Sequence, residues 1–106
     1  KRVVHRWLRF EPATNGPLRL PLCALRENTV AAADLAVSTI SPAVLAKKTV
    51  ELDFAGMDLC TQSWLHALLF ESIRLAWALR VPIHVINADP AVREGLRFLE
   101  AYSLGG

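Results

Sequence analysis

The sequence predicts a single α/β domain in which helices pack on a mixed β-sheet that starts with an N-terminal hairpin. Its 106 residues are a suitable length for one compact domain. Apolar residues make up 53% of the chain and charged residues 21%, a balance typical of globular proteins. After the hairpin, runs of strand length alternate with helical patterns. We therefore expect a βαβαβα alternation with parallel neighbouring strands and right-handed crossovers.

Residues 1–27 are predicted to form the hairpin. Val3 to Phe10 alternates apolar and polar side chains with the period of two that a strand shows. The Asn-Gly pair at 15–16 favours a tight turn, and Leu18 to Leu25 is expected to return as the second strand. Because Pro21 lacks a backbone donor, this second strand should lie at a sheet edge or contain a bulge.

Residues 28–48 are predicted to contain the first helix and a loop. The segment is rich in Ala and Leu, and Asn28 or Thr29 offers a side-chain oxygen to the first free N–H groups of a helix. Pro42 disfavours a helical backbone in the residue before it. The first helix is therefore expected to end near Ser41.

Residues 49–106 are predicted to form the βαβα part of the domain. Thr49 to Phe54 is a run of strand length that should lie in the middle of the sheet, and Pro82 to Ile86 is a second buried strand. Gln62 to Leu79 has apolar residues at steps of three and four, which is typical of a helix.

The last helix is predicted from its start signals. Asp89 offers a cap, and Pro90 suits the first helical position because its missing donor is not needed there. The helix should run from Ala91 to Tyr102. The apolar positions of these strands and helices predict the following core residues: Val50, Leu52, Phe54, Leu65, Leu69, Ile83, Val85, Val92 and Leu96.

Charge and cysteine content exclude several classes of function. The net charge is +2 and the basic residues are scattered, so we expect no nucleic-acid partner. The longest apolar-rich stretch, Trp64 to Leu79, is interrupted by charged residues and predicts no membrane span. Two distant cysteines and the lack of a secretory signal favour a reducing compartment, and hence a cytoplasmic protein.

Residues 49–102 resemble a known domain family. The resemblance is carried by the strand VELDF, the loop AGMDLCT, the helix start QSWLHALLFE, the strand VPIHVINA and the helix opening DPAVREGLRF. These segments resemble the STAS domain, named for sulfate transporters and anti-sigma factor antagonists, and are most similar to a bacterial STAS-like family of unknown function. In the antagonists, the second serine of an Asp-Ser-Ser-Gly-Leu motif is phosphorylated. The resemblance places Ser63 at that serine, while Thr61, Gln62 and Trp64 replace the acid, the first serine and the glycine.

The resemblance implies a non-enzymatic regulatory domain that binds another protein. The implied partner is an ATPase-type kinase or an anti-sigma factor, and a second copy of the chain is a further candidate. Ser63 and Thr61 are the candidate phosphorylation and switch positions. A phosphate at this helix start would meet unpaired N–H groups and the positive end of the helix dipole. The alternative interpretation is that Thr61, Gln62 and Ser63 merely cap the helix.

The helix over 62–79 carries more apolar surface than one sheet can cover. A second apolar stripe lies about 110° away from the face that a sheet would bury. Together with the residue after Ser63, it gives the predicted partner-binding residues, which are Trp64, His66, Phe70, Ile73 and Trp77. In the alternative interpretation, the first helix and neighbouring loops bury this stripe.

A thiol enzyme or redox sensor is the alternative from another functional class. Cys60 precedes the long helix, whose dipole can lower a thiol pKa. The alternative interpretation, which we favour, is that Cys60 is a buried core residue, since free cysteines are among the most commonly buried side chains. An accessory structural domain of a larger assembly is a third alternative. His5, His66 and His84 stand alone, without the spacing that brings two metal ligands together. We therefore predict no catalytic residue, no metal site and no cofactor.

Overall fold

Four parallel strands form one sheet in the computed structural model, which describes residues 6–105. The strands lie in the order β1-β4-β3-β2, and each neighbouring pair is parallel. Their bounds are β1 Leu8–Arg9, β2 Leu18–Pro21, β3 Val50–Asp53 and β4 Ile83–Ile86. The α/β class with helices packed on a sheet is confirmed, but the sheet is parallel and not mixed.

The predicted N-terminal hairpin is wrong. Strands β1 and β2 lie at opposite edges of the sheet, where Leu8 is in register with Ile83 and Leu18 with Val50. A two-stranded ribbon buries little apolar surface, whereas each of these segments gains a buried strand as its neighbour at the edge of the parallel sheet, β4 for β1 and β3 for β2. The part of the predicted strand from Val3 to His5 lies outside the described residues.

A crossover loop (residues 10–17) connects the two edges. Three strand spacings separate β1 from β2, which is a lateral distance of about 14 Å. The loop is eight residues long, and an extended chain of that length reaches about 27 Å. The chain bends at Asn15 and Gly16 has φ +66°, but this bend belongs to the crossover and does not join neighbouring strands. Pro21 lies on edge strand β2, as predicted.

The first helical segment continues past its predicted end. Helix α1 (Thr29–Leu35) passes through a π-helical segment (Ala36–Ile40) into α2 (Ser41–Leu45). Ser41 stays helical in front of Pro42, and its N–H donates to the carbonyl of Ala36, five residues earlier. The proline needs no backbone partner of its own, so the widened turn accommodates it without breaking the helix. Asn28 caps α1 by accepting from the N–H of Ala31.

The two long helices match their predictions closely. Helix α3 spans Gln62–Leu79, and α4 spans Pro90–Ser103. Pro90 occupies the first turn of α4; Asp89 is at the N-cap position, although its side chain makes no capping hydrogen bond. The two crossovers from β2 to β3 and from β3 to β4 progress in one direction, so right-handed connections place α1, α2 and α3 on the same face of the sheet. Helix α4 packs beside α3 and reaches β1.

The core lies between this sheet face and the helices. All nine predicted core residues are buried. The opposite face of the sheet carries a polar row that the strand register places side by side, made of Arg9, His84, Glu51 and Arg19. The crossover loop passes over that row, because Ala13 donates its N–H to Glu51 and the carbonyl of Glu11 lies 2.9 Å from Nδ1 of His84.

Candidate functional site

At the start of α3, one residue caps the helix and a different residue presents an exposed hydroxyl. Thr61 is the N-cap residue, and its Oγ1 accepts from the N–H of Trp64 at 3.1 Å. The amide of Gln62 donates to the carbonyl of Gly95 at 2.9 Å and so ties α3 to α4. Ser63 is exposed and takes part in neither of these bonds. Of the three residues expected to cap, only Thr61 does so.

Two of the predicted partner-binding residues are in the core. Trp64 is 1% exposed and meets Phe54 edge to face, with ring centroids 6.5 Å apart. Ile73 is fully buried. Their predicted exposure is wrong, because α3 lies between α1–α2 on one side and α4 on the other, and these helices cover flanks that a sheet alone would leave open. Trp64 therefore points away from Ser63 and leaves that position accessible.

The remaining predicted residues are at least partly exposed, and two of them, His66 and Phe70, meet Tyr102 of α4. The rings of His66 and Phe70 stack at 4.4 Å, and Tyr102 lies 6.2 Å from the first ring and 5.8 Å from the second. Arg74 extends the row, since its guanidinium is 5.7 Å from the Phe70 centroid. We call this region the α3–α4 surface and define it by Ser63, His66, Phe70, Arg74, Trp77, Phe98 and Tyr102.

Large apolar side chains of the α3–α4 surface are open to solvent. Phe98 is 63% exposed, Tyr102 60% and Trp77 43%. A shallow cleft of about 470 Å³ lies at the start of α3, lined by Gln62, Ser63, His66, Phe98, Leu99 and Tyr102. A second cleft beside Trp77 and Arg74 lies towards the end of both helices. The arrangement can accept apolar and aromatic groups along a path that begins at Ser63.

The pKa of the Cys60 thiol is raised, whereas a redox-active cysteine needs a lowered pKa. Burial, with a smaller contribution from the charge of Glu27, raises the pKa of the Cys60 thiol to about 11. Partial burial thus outweighs any benefit from the helix start. At neutral pH the residue is a protonated thiol, which is a poor nucleophile.

The polar groups at the carboxyl ends of the strands have structural partners. Oδ1 of Asp53 accepts from the side chain of Asn87 and from the N–H of Ala55, both at 2.9 Å, and these bonds lower the pKa of Asp53. Within residues 6–105, no three His, Cys, Asp or Glu side chains are placed to hold a metal ion. His5 lies outside the described residues.

Sequence reasoning missed Phe98 and Tyr102. Both lie on α4, four residues apart, away from the buried face that Val92, Leu96 and Leu99 form. That spacing was a signal, since aromatic side chains beside a complete apolar face have no core left to enter.

Two buried carboxylates were also missed. Glu51 accepts from Ala13 N–H and from Arg19, and its side chain is 1% exposed. Glu100 accepts from the N–H of Leu8 at 3.0 Å and pairs with Arg97 at 2.7 Å. Glu51 lies on the polar row of the sheet and Glu100 lies on α4, and both accept from backbone N–H groups that are distant in the sequence.

Comparison with known proteins identifies one family. A family model described as a STAS-like domain of unknown function (DUF4325) matches residues 32–93, which is more than half of the chain. The match includes β3, α3, β4 and the start of α4. No curated protein and no solved structure matches the chain. In the part of the chain that the structure describes, no helix combines the length and apolar character needed to cross a membrane.

Proposed function

We propose that this chain, which belongs to the STAS-like domain family, is a non-enzymatic module that binds a partner protein on its α3–α4 surface. The observation that carries the proposal is the exposure of Phe98 and Tyr102 beside the stacked rings of His66 and Phe70. Aromatic residues are enriched at protein interfaces, where they provide much of the binding free energy. The raised pKa of Cys60 disfavours the thiol enzyme as an alternative.

The proposed partner is an ATPase-type kinase that acts on Ser63. The resemblance to STAS antagonists supports this choice, because it places Ser63 at their phosphorylated serine. The local geometry also supports it, since Ser63 is exposed while Thr61 already provides the helix cap. We propose that phosphorylation by this kinase takes place in the cytoplasm, where the free thiols Cys23 and Cys60 would stay reduced.

Phosphorylation of Ser63 would switch the surface off. A phosphate adds nearly two negative charges at one end of the cleft that Phe98 and Tyr102 line. Its oxygens hold water tightly, so an apolar partner surface could no longer pack against these rings without a desolvation cost. The helix start would stabilise the phosphate and so favour the modified state.

Partner binding can be tested with paired variants. Proteins captured from source cells by the wild-type chain are identified, expressed and titrated by calorimetry against Phe98→Ala and Tyr102→Ala. Each truncation should weaken binding about tenfold or more, as expected for a central aromatic contact. Leu59→Ala, an exposed apolar residue in the loop before α3 and outside the α3–α4 surface, is the matched control and should bind like the wild type. Equal affinities for all three variants would contradict the proposed surface.

The switch is tested with the same partner. Ser63→Asp should weaken binding at least about tenfold, because even one charge at the cleft must be desolvated, whereas Ser63→Ala should bind like the wild type. Incubation with the kinase and ATP should add phosphate to the wild type and not to Ser63→Ala. Equal affinities for the Asp and Ala variants would leave Ser63 an ordinary surface residue.

A further inference from the structure

The outer face of α1–α2 carries exposed apolar side chains of its own, distant from the α3–α4 surface. Val30 is 68% exposed, Val37 76% and Leu45 59%. Pro42 is exposed beside them. We call these four residues the α1–α2 stripe. The inner face of the same helices is buried against the core through Ala32, Ala36, Ile40 and Val44.

The π-helical segment aligns this stripe. Val30 and Val37 are seven residues apart, which on an α-helix leaves them about 20° from a common line. Leu45 follows eight residues later and would lie about 80° away on an uninterrupted α-helix. The π segment (Ala36–Ile40) accommodates one extra residue in its turn, which brings Leu45 back towards the line. The π segment that accommodates Pro42 therefore also gathers the exposed apolar side chains towards one line along the helix.

Charges at the two ends of α1–α2 are complementary to each other. From residue 27 to residue 48, the charged side chains are Glu27 and Asp34 in the first part and Lys47 and Lys48 at the end. If two copies pack antiparallel about a point near Val37, Val30 of one copy faces Leu45 of the other. Glu27 then faces the lysine pair of the second copy. Antiparallel packing also sets the positive end of one helix dipole beside the negative end of the other.

We propose that two copies of this chain associate through the α1–α2 stripe, with the helices antiparallel across a two-fold axis near Val37. A two-fold interface requires a surface that is complementary to itself, and this stripe meets that requirement in apolar pattern and in charge. Asp34 lies at the border of the stripe, where it remains in water. The contact from Val30 to Leu45 is about 22 Å long, so the interface is small and the dimer dissociates on dilution.

The dimer is tested by sedimentation equilibrium of the full chain from about 5 to about 500 µM, a range that brackets weak association. The wild type should shift from monomer towards dimer as concentration rises. Val37→Lys should raise the dissociation constant at least about tenfold, because the new charge meets its own copy at the axis. Phe98→Lys, on the α3–α4 surface, is the matched control and should dimerise like the wild type. A chain that stays monomeric over the whole range, or a Val37→Lys variant that dimerises normally, would overturn the proposal.

Charge reversal tests the antiparallel arrangement. One variant combines Glu27→Lys with Asp34→Lys, and the other combines Lys47→Glu with Lys48→Glu. Each should self-associate more weakly than the wild type, by about 2- to 5-fold for rim charges, because both helix ends then carry the same sign. A mixture of the two variants should form a heterodimer of wild-type strength. Failure of the mixture to recover association would rule out the antiparallel pairing. Since these variants leave the α3–α4 surface intact, their outcome is independent of partner binding there.

Discussion

The two faces of the sheet are held by different kinds of interaction. On the helix-covered face, Val50, Leu52 and their neighbours are buried among apolar side chains of α3 and α4. On the other face, the same strand presents Glu51, which holds the crossover loop through the N–H of Ala13. The free energy gained by apolar packing is proportional to the buried area and is spread over many contacts without a preferred direction. A buried carboxylate depends instead on a few hydrogen-bond donors with defined directions. Substitutions on the two faces should therefore differ in size and in their response to pH.

The largest effect is expected on the helix face, at Leu69. This side chain is fully buried in the core cluster. Leu69→Ala should lower the free energy of unfolding by about 2–5 kcal/mol, because the transfer free energy is lost and a cavity remains. Urea titration followed by circular dichroism measures the change. Leu59→Ala, which shortens an exposed leucine outside both proposed surfaces, should stay within about 0.5 kcal/mol of the wild type. Equal losses for both variants would show that α3 does not bury Leu69.

An intermediate effect is expected on the loop face, at Glu51. Glu51→Gln keeps the shape of the side chain but gives up its charge and places an amide donor near the donors of Ala13 and Arg19. The free energy of unfolding should fall by about 1–3 kcal/mol, the usual cost of mispairing a buried charged hydrogen bond. Glu94→Gln, on the exposed side of α4, is the matched control and should have little effect.

The pH dependence of this loss separates it from packing. The N–H of Ala13 is the main cause that lowers the pKa of Glu51 below its ordinary value of 4.5, and Arg19 adds to it. Because the pKa is lower in the folded state, the stabilisation is complete above pH 4.5 and is lost as the pH falls through the folded-state pKa. The difference between wild type and Glu51→Gln should shrink below that pH. The Leu69→Ala difference should not shrink. A pH-independent Glu51→Gln loss would mean that the introduced amide causes the loss and that the charge of the carboxylate contributes nothing.

The helix face is also the part of the fold that the sequence predicted well. Periodicity was sufficient for the bounds of α3 and for the nine core residues, because the most apolar side of each of these elements faces the core. Periodicity failed where the outcome depends on a non-local partner. Val3–Phe10 and Leu18–Leu25 carry strand signals and a turn signal, but nothing within residues 1–27 shows that β3 and β4 lie between them.

The candidate site was only partly predictable for the same reason. The pattern of α3 alone identified His66, Phe70 and Trp77. Phe98 and Tyr102 come from α4, and the periodicity of neither helix predicts how the two helices pack against each other. Trp64 and Ile73 were assigned to the surface because the covering role of α1–α2 and α4 could not be seen from α3. The helix continues through Pro42 by way of a π turn, which single-residue preferences do not predict.

The smallest effect is expected at the start of α3, where a single N-cap hydrogen bond stabilises a helix that otherwise is held by apolar packing. Thr61 accepts from the N–H of Trp64, while Ser63 makes no such contact. Thr61→Ala should therefore lower the free energy of unfolding by about 0.5–2 kcal/mol, the usual cost of removing an N-cap. Ser63→Ala should stay within about 0.5 kcal/mol of the wild type. Urea titration of both variants, with hydrogen exchange at the Trp64 amide, measures the contrast; faster exchange is expected only for Thr61→Ala. A larger loss for Ser63→Ala would mean that Ser63 is the true cap, and its hydroxyl would then no longer be free to serve as a switch without cost to the fold.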